Sequence, residues 1–183
     1  MKIAVIGRGH VDGGLARLWE AAGHDVSAIG RDGGDAADAD VVVVAVPGGL
    51  IAEALGRVRG LAGQVTIDAA NLYTARDETF PSLSHQIKSI VGGPTAKSFS
   101  TNFAAAYDRI GEQRVRPGNL YAADPEARDV TERLIVDAGY EPVFIGALDP
   151  GARLLEDSSA LTVAISRQIG GPFFYRYSAP GEL

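Results

Sequence analysis

The sequence contains no cysteine among its 183 residues. This absence excludes disulfide bonds, zinc–thiolate sites, iron–sulfur clusters and thiol nucleophiles. Histidine is scarce as well, and because His10, His24 and His85 have no metal-ligand spacing, we expect no metal site. No apolar run approaches the roughly 20 residues that cross a bilayer, so we expect no membrane association.

Basic residues are also in short supply, with 17 Lys and Arg against 23 Asp and Glu and a formal net charge of −6 at pH 7. Nucleic-acid-binding proteins normally present a basic face, so we expect no nucleic-acid partner. The N-terminal segment is strand-like and has no basic-then-apolar leader, which predicts a cytoplasmic protein. A chain of this length fits one domain that buries about 70% of its surface on folding. The composition therefore indicates one domain over residues 1–183 that acts on small molecules.

Short β-branched runs alternate with amphipathic stretches, which is typical of a parallel sheet flanked by helices. The strands are predicted at residues 2–7, 25–29, 41–46, 64–68, 95–99, 119–122 and 141–145. The helices are predicted at residues 13–22, from after 49 to about 58, at 82–90 and 125–138, with a closing helix over about 150–170. On the closing helix, Leu154, Leu161, Ile165 and Ile169 share one side. We predict an α/β fold with a Rossmann-like, doubly wound and mostly parallel sheet.

The connection after the second predicted strand is unusually short. About ten residues rich in Gly and Asp separate Gly30 from Val41. A complete doubly wound nucleotide-binding half places a helix and a third strand there. Because the segment is too short to hold both, we predict that the third strand and its helix are deleted and that the second strand is the edge of the sheet.

A glycine-rich turn at residues 7–11 (GRGHV) follows a strand and opens a helix, which is the context of a dinucleotide fingerprint. The first glycine permits the tight turn, and the second lets the backbone approach a pyrophosphate at the helix N-terminus. The third glycine of the pattern is replaced by Asp12, and glycines follow only at 13 and 14. A carboxylate there would oppose phosphate binding by roughly 1 kcal/mol or more if partly buried. The turn either binds a dinucleotide or is a tight turn with no ligand.

The end of the second strand normally determines which dinucleotide binds. An acidic residue there accepts a hydrogen bond from the ribose of NAD, whereas Arg31 suits the additional phosphate of NADP. The alternative is that Arg31 is an exposed arginine paired with the aspartates of the connector, which are Asp32, Asp35, Asp38 and Asp40.

Two further strand ends lie at the predicted topological switch point, where ligands bind in open α/β sheets. Residues 45–47 (AVP) end the central strand and are expected to present an apolar surface to the nicotinamide ribose, unless the proline simply ends the strand. Asn71 ends the next strand on the same side, where its amide either faces the ring or forms a turn.

Taken together, these and later motifs resemble the short NADPH-dependent reductases of coenzyme F420, the F420-dependent NADP oxidoreductases. The resemblance covers most of the chain and depends on the order and spacing of its segments. The segments are residues 7–11 with 15–16 (LA), 30–31 (GR), 41–47 (VVVVAVP), 66–71 (TIDAAN), 97–101 (KSFST), 139–143 (GYEPV), and 146–148 (GAL) with 152–156 (ARLLE).

The resemblance implies that NADP(H) lies across the strand ends with a deazaflavin, coenzyme F420, over its nicotinamide. Hydride then passes directly between the two rings, so no side chain is expected to act as a catalytic acid or base. A homodimer that involves the C-terminal helix is also implied. The cofactor-binding residues implied by the resemblance, with Gly7 and Asn71 added from the local motifs, are Gly7, Arg8, Gly9, His10, Val11, Gly30, Arg31, Ala45, Val46, Pro47 and Asn71.

The chain departs from the family pattern at Asp12, in the shortened connector, and after Asn71, where Leu-Tyr replaces Pro-Leu. The first two departures fall on the adenosine and phosphate half of the site. A polyanionic deazaflavin also needs a basic rim, for which Arg109, Arg114 and Arg116 are candidates, unless they belong to an ordinary solvated loop.

Two other functions remain open from the sequence. One is an NADPH-dependent reductase of a small carbonyl or imine, in which Tyr73 or Lys97 donates a proton. The other is a degenerate Rossmann module that binds nucleotide weakly or not at all and acts as an interaction or regulatory subunit. Outside the turn, the helical spacing of Arg153 and Glu156 predicts a structural ion pair.

Overall fold

The computed structural model describes residues 1–7, 9–72 and 78–181, and for residues 10–12 it describes the backbone alone. Nine strands form within these residues. They are β1 (Lys2–Ile6), β2 (Asp25–Ile29), β3 (Gly34–Asp35), β4 (Val41–Val44), β5 (Val58–Arg59), β6 (Val65–Asp68), β7 (Thr95–Lys97), β8 (Gly118–Ala123) and β9 (Glu141–Phe144).

Five α-helices connect the strands of the described chain. They are α1 (His10–Ala21), α2 (Ile51–Leu55), α3 (Leu83–Val91), α4 (Arg128–Asp137) and α5 (Leu148–Ile169). Short 3₁₀ helices lie at Gly48–Leu50, Ala104–Glu112 and Pro125–Ala127. No helix of the described residues is long and apolar enough to cross a membrane.

The main sheet has seven strands in the order β2-β1-β4-β6-β7-β8-β9. The first five are parallel, β8 runs antiparallel to β7, and β9 runs parallel to β8. All four residues of β4 are buried, as expected of a central strand covered on both faces. The fold is therefore a doubly wound, mostly parallel α/β sheet of the Rossmann type, as the sequence predicts.

Each face of the sheet carries its own apolar cluster. On one face, α1 and α4 pack together, and the indole Nε1 of Trp19 donates a hydrogen bond to the Leu134 carbonyl oxygen at 2.9 Å. On the other face, Ile51 and Leu55 of α2 pack with Ile87 of α3. The two clusters cover both faces of β1 and β4.

The prediction that β2 is the edge strand is confirmed. The connector contains no helix, but it holds β3, which pairs in parallel with β5 to form a separate two-stranded sheet. The helix predicted to run to about residue 58 is wrong in its extent, because α2 ends at Leu55 and Val58 begins β5. The connector therefore contributes one strand to a small separate sheet, whereas in a complete fold the same stretch of chain forms a helix and the third strand of the main sheet.

The closing helix α5 ends at Ile169, and its C-cap Gly170 has a left-handed backbone with φ 84°. Its buried residues are Leu148, Gly151, Ala152, Leu155, Glu156 and Thr162. The apolar residues that the sequence places on one side instead face outward, since Leu154, Leu161 and Ile169 are 58%, 60% and 61% exposed. The stripe on this helix therefore does not pack against the core.

Candidate functional site

A cleft of about 450 Å³ opens at the carboxyl ends of β1, β2 and β4, beside α2. This volume lies within the range of small-molecule and cofactor sites. The lining residues are Ile6, Gly7, Gly9, Ile29, Gly30, Arg31, Ala45, Val46, Pro47, Leu50, Glu53, Ala54 and Arg57. The cleft occupies the position at which open α/β sheets bind their ligands.

Seven of the eleven residues predicted to bind a cofactor line this cleft together. They are Gly7, Gly9, Gly30, Arg31, Ala45, Val46 and Pro47. Arg8 and the side chains of His10 and Val11 lie outside the described residues, as do the Asp12 side chain and Tyr73. The remaining residue, Asn71, is not among the residues that line the cleft.

The glycine-rich turn has the backbone that its sequence requires. Gly7 has φ 145°, in the region that favours glycine, and its amide donates a hydrogen bond to the Ile29 oxygen at 3.0 Å. Gly9 then caps α1 in an extended conformation, without a side-chain hydrogen bond to the helix. Gly9 also lines the cleft, so the N-terminus of α1, where unpaired main-chain N–H groups can bind phosphate, lies beside it.

Gly14 of α1 approaches the 3₁₀ helix Ala104–Glu112 closely. A Cβ atom built at Gly14 would lie 2.3 Å from Cδ2 of Tyr107, whereas one at Gly13 would meet nothing within 4 Å. Tyr107 is buried, and burial raises the pKa of its phenol above the usual value, so the hydroxyl stays protonated. Gly14 is therefore needed for the packing of α1 against this 3₁₀ helix, which is a different contact from the helix–strand approach of the third fingerprint glycine.

Two of the four connector aspartates, Asp35 and Asp40, have partners other than Arg31. Asp40 accepts a hydrogen bond from the Lys2 amide at 2.8 Å, and Asp35 accepts one from the Ala37 amide at 2.9 Å. Asp35 also lies 3.8 Å from the Arg59 guanidinium. Within the described connector, no aspartate forms an ion pair with Arg31, so the alternative interpretation of this arginine is not realised.

The wall formed by α2 and its preceding turn was not predicted from the sequence. It contributes Leu50, Glu53, Ala54 and Arg57. Leu50, Ala54 and Arg57 are spaced i, i+4 and i+7, which places them on one side of a helix. That spacing, directly after the switch-point proline Pro47, is the sequence signal that could have identified this wall.

Asn71 is held by the protein itself. Its Nδ2 donates a hydrogen bond to the Ser100 carbonyl at 2.9 Å, and its Oδ1 accepts one from the Ser159 hydroxyl at 2.9 Å. The side chain thus joins the end of β6 to the loop after β7 and to α5. Both of its polar atoms are already hydrogen-bonded in this arrangement.

Lys97 lies in a buried cluster of charged side chains. Its Nζ lies 2.9 Å from Oδ2 of Asp68 and 4.0 Å from Oε1 of Glu156, and it donates to the Ala70 carbonyl at 2.6 Å. The Lys97 and Asp68 side chains are 0% exposed. Because Lys97 is buried and does not line the cleft, the structure gives no support to its role as a proton donor.

The predicted ion pair between Arg153 and Glu156 is wrong. Arg153 instead pairs with Asp157 at 3.2 Å, one turn further along α5. Glu156 points inward, where it accepts a hydrogen bond from the Leu83 amide at 2.7 Å. Helical spacing made both pairings possible, and the burial of one face of α5 determined which formed.

The arginines considered for a basic rim do not line the cleft. Arg109 pairs with Glu112 at 3.2 Å on the exposed surface. Arg114 lines a separate groove with Phe174 and Arg176, and that groove shares no residue with the cleft. Within the described residues, no group of three or more His, Asp or Glu side chains is arranged to hold a metal ion.

The chain was compared with known proteins by sequence and by structure. No protein-family model and no curated protein sequence matches it. A candidate F420-dependent NADP reductase from Arthrobacter sp. FB24 superposes with a TM-score of 0.81 at 21% identity, over 98% of this chain and 100% of that one. A hypothetical protein from Sinorhizobium meliloti gives a TM-score of 0.67 at 24% identity, over 83% and 88% of the two chains.

Longer enzymes share the same fold over part of their length. A reductive aminase from Aspergillus terreus, in complex with NADPH and ethyl levulinate, gives a TM-score of 0.66 at 15% identity. The match covers 92% of this chain but only 62% of the aminase. At these identities the similarity establishes the fold, and it confirms at that level the resemblance to F420-dependent NADP reductases.

Proposed function

We propose that the chain is an oxidoreductase that binds NADP(H) in the cleft and transfers hydride between this cofactor and a deazaflavin, coenzyme F420. The observation that carries the proposal is the convergence of seven predicted residues on one cleft at the switch point. The similarity to the candidate F420-dependent NADP reductase from Arthrobacter supports both cofactors, and the similarity to the reductive aminase, which binds NADPH, supports NADP(H) alone.

The residues of the cleft fit the parts of NADP(H) in order. Gly7 and Gly9 bring the backbone and the start of α1 to the position of a pyrophosphate. Arg31 lies at the end of β2, where a cationic side chain suits the 2′-phosphate. Ala45, Val46 and Pro47 present an apolar surface at the end of β4, suited to the nicotinamide ribose.

When bound, NADPH supplies the hydride, so the chain needs to contribute orientation rather than acid–base chemistry. The apolar segment at 45–47 would pack against the nicotinamide ribose and help to orient the ring. The buried cluster around Lys97 joins the ends of β6 and β7. Such preorganisation is the protein's share of a direct ring-to-ring transfer.

We also propose that the chain is a cytoplasmic homodimer formed through α5. The exposed residues Leu154, Leu161 and Ile169, with the half-buried Ile165 between them, support a dimer through this helix, because exposed apolar side chains in a row typically mark an interaction surface. A second copy of the same helix offers a matching apolar surface by two-fold symmetry.

Mixing the purified protein with NADPH and oxidised coenzyme F420 under anaerobic conditions tests the activity. We expect loss of the F420 absorbance in step with NADPH oxidation, and a large loss of rate when Gly9 is replaced by Val. A chain that binds NADPH but reduces carbonyl or imine substrates in preference to F420 would support the reductase of small substrates instead. Tyr73→Phe then measures the proton-donor role of that tyrosine.

A chain that binds neither NADPH nor NADH would support the degenerate module. In that case Asp12→Gly discriminates between two causes. If Asp12→Gly binds a dinucleotide, the Asp12 charge prevents binding in the wild type. If the variant still binds neither dinucleotide, protein partners become the ligands to test.

A further inference from the structure

The two-stranded sheet brings Arg57 to the end of the cleft that Arg31 occupies. The Gly34 amide donates to the Arg57 carbonyl at 3.4 Å, and the Ala36 amide donates to the Arg59 carbonyl at 2.9 Å. A Cβ atom at Gly33 would lie 2.2 Å from the Arg57 oxygen, so only glycine allows this approach. The connector that replaces the third strand therefore folds directly onto the segment after α2.

The guanidinium of Arg57 is held in place by two hydrogen bonds. Its Nη1 donates to the main-chain oxygen of Arg31 at 3.0 Å, and its Nη2 donates to Oε1 of Glu53 at 2.7 Å. These bonds use two of the five N–H groups of a guanidinium. The side chain is 52% exposed and lines the cleft, so its other donors are within reach of a ligand.

Two arginines at one end of a cleft form a receptor for a doubly charged anion. A phosphate monoester carries about −1.5 to −2 charges near pH 7 and binds arginine through charge-assisted hydrogen bonds. Arg31 and Arg57 are the two basic residues among the described residues that line the cleft. Glu53 is the internal counter-ion of this pair and competes with an anionic ligand for Arg57.

Because the pyrophosphate position lies at Gly7 and Gly9, the end with Arg31 and Arg57 corresponds to the adenosine ribose. We infer that Arg57 acts with Arg31 to bind the 2′-phosphate of NADP, and that Glu53 sets the strength of this binding. The inference rests on the proposed function and adds to it a specificity determinant from α2 and its small sheet.

Calorimetric titration with 2′,5′-ADP and 5′-AMP tests the inference, because both fragments probe the adenosine half alone. Arg57→Gln is expected to weaken 2′,5′-ADP roughly 10- to 100-fold and 5′-AMP little, as expected for hydrogen bonds to a charged group. Arg57→Lys keeps the charge and should recover part of the loss. Glu53→Gln should tighten 2′,5′-ADP up to about fivefold, the scale of an exposed charge interaction.

Arg59→Gln is the matched control, since Arg59 lies two residues further on the same segment, is 82% exposed, and does not line the cleft. It should leave both affinities unchanged. Equal weakening of 2′,5′-ADP and 5′-AMP by Arg57→Gln would overturn the inference, because Arg57 would then act only by shaping the connector. The inference would also be overturned if Glu53→Gln tightened the binding of 2′,5′-ADP and of 5′-AMP by the same factor.

The test separates this inference from the proposed function. A wild-type chain that binds NADPH and NADH equally well would overturn the role of Arg57 while leaving dinucleotide binding intact. A wild-type chain that binds neither dinucleotide would overturn the proposed function itself.

Discussion

The guanidinium of Arg57 donates a hydrogen bond to the main-chain oxygen of Arg31, with 3.0 Å between Nη1 and O. These residues belong to segments that a complete doubly wound fold separates by a further helix and strand. Here the shortened connector brings them together through β3 and β5. The loss of the third strand thus changes the wall of the cleft without opening the main sheet.

Gly13 and Gly14 are adjacent in α1, but we expect their replacement by Ala to change the free energy of unfolding in opposite directions. Gly14→Ala forces a Cβ atom against the buried Tyr107 ring and should lower the free energy of unfolding by about 1–3 kcal/mol. Gly13→Ala meets open space and should raise it by up to about 1 kcal/mol, because Ala favours helix more than Gly does. Urea unfolding of the two variants and the wild type measures both effects. Equal stability of the two variants would contradict the close packing at Gly14.

Replacing Lys97 with Met leaves the buried carboxylates of Asp68 and Glu156 without their cation. Breaking a buried ion pair in this way typically lowers the free energy of unfolding by about 3–5 kcal/mol. Arg153→Met is the control, because Arg153 pairs with Asp157 on the exposed side of α5 and should contribute at most about 1 kcal/mol. Comparable losses for both variants in urea unfolding would show that burial does not distinguish the two pairs.

If the outward stripe on α5 forms the proposed dimer interface, charged substitutions in it should dissociate the dimer. A Leu154→Lys and Leu161→Lys double variant places two charges on the proposed interface and should convert the dimer to a monomer. Ala160→Lys lies on a different side of the same helix and should leave the dimer intact. Sedimentation equilibrium measures the mass of each variant. A wild-type monomer, or a double variant that remains a dimer, would contradict this role of the stripe.

We predict that the carboxylate of Glu132 stabilises the folded protein to an extent that depends on pH. The Tyr121 hydroxyl and the Arg128 guanidinium donate hydrogen bonds to it and hold its pKa below the usual value. A carboxylate with a lowered pKa in the folded state stabilises the protein above its unfolded pKa, and this stabilisation is lost as pH falls through the folded value.

The Glu132→Gln variant should therefore be less stable than the wild type at pH 7, and the difference should shrink as pH falls below about 4.5. Tyr121→Phe should show the same trend, because it removes one donor to the carboxylate. Urea unfolding from pH 7 to pH 3 checks both variants. A difference that stays constant over this range would refute the assigned cause.

Much of the fold was predictable from the sequence because its signals are local. The uninterrupted valines at 41–44 indicate a buried central strand, and the length of the connector alone shows that β2 must be an edge. The small sheet was not predicted, because two-residue strands have no periodicity. Val58 consequently looked like a continuation of the preceding helix.

Some residues of the candidate site could likewise be predicted from the sequence, and others could not. Residues that shortly follow a strand, such as Gly9 after β1 and Pro47 after β4, are placed by the direction of the chain and could be predicted. The contact of Arg57 with Arg31 spans 26 residues and depends on how the connector folds back. Glu156 was assigned to Arg153 by spacing, but tertiary burial turned it toward the amide of Leu83.

We propose that the cleft binds NADP(H) and that its arginines give it a preference for NADPH over NADH. Calorimetric titration of the purified wild-type chain with NADPH and NADH at low ionic strength measures this preference. We expect micromolar binding of NADPH and at least roughly tenfold weaker binding of NADH, the scale of one charge-assisted hydrogen bond. Absence of binding for both dinucleotides, or equal affinity for the two, would contradict it.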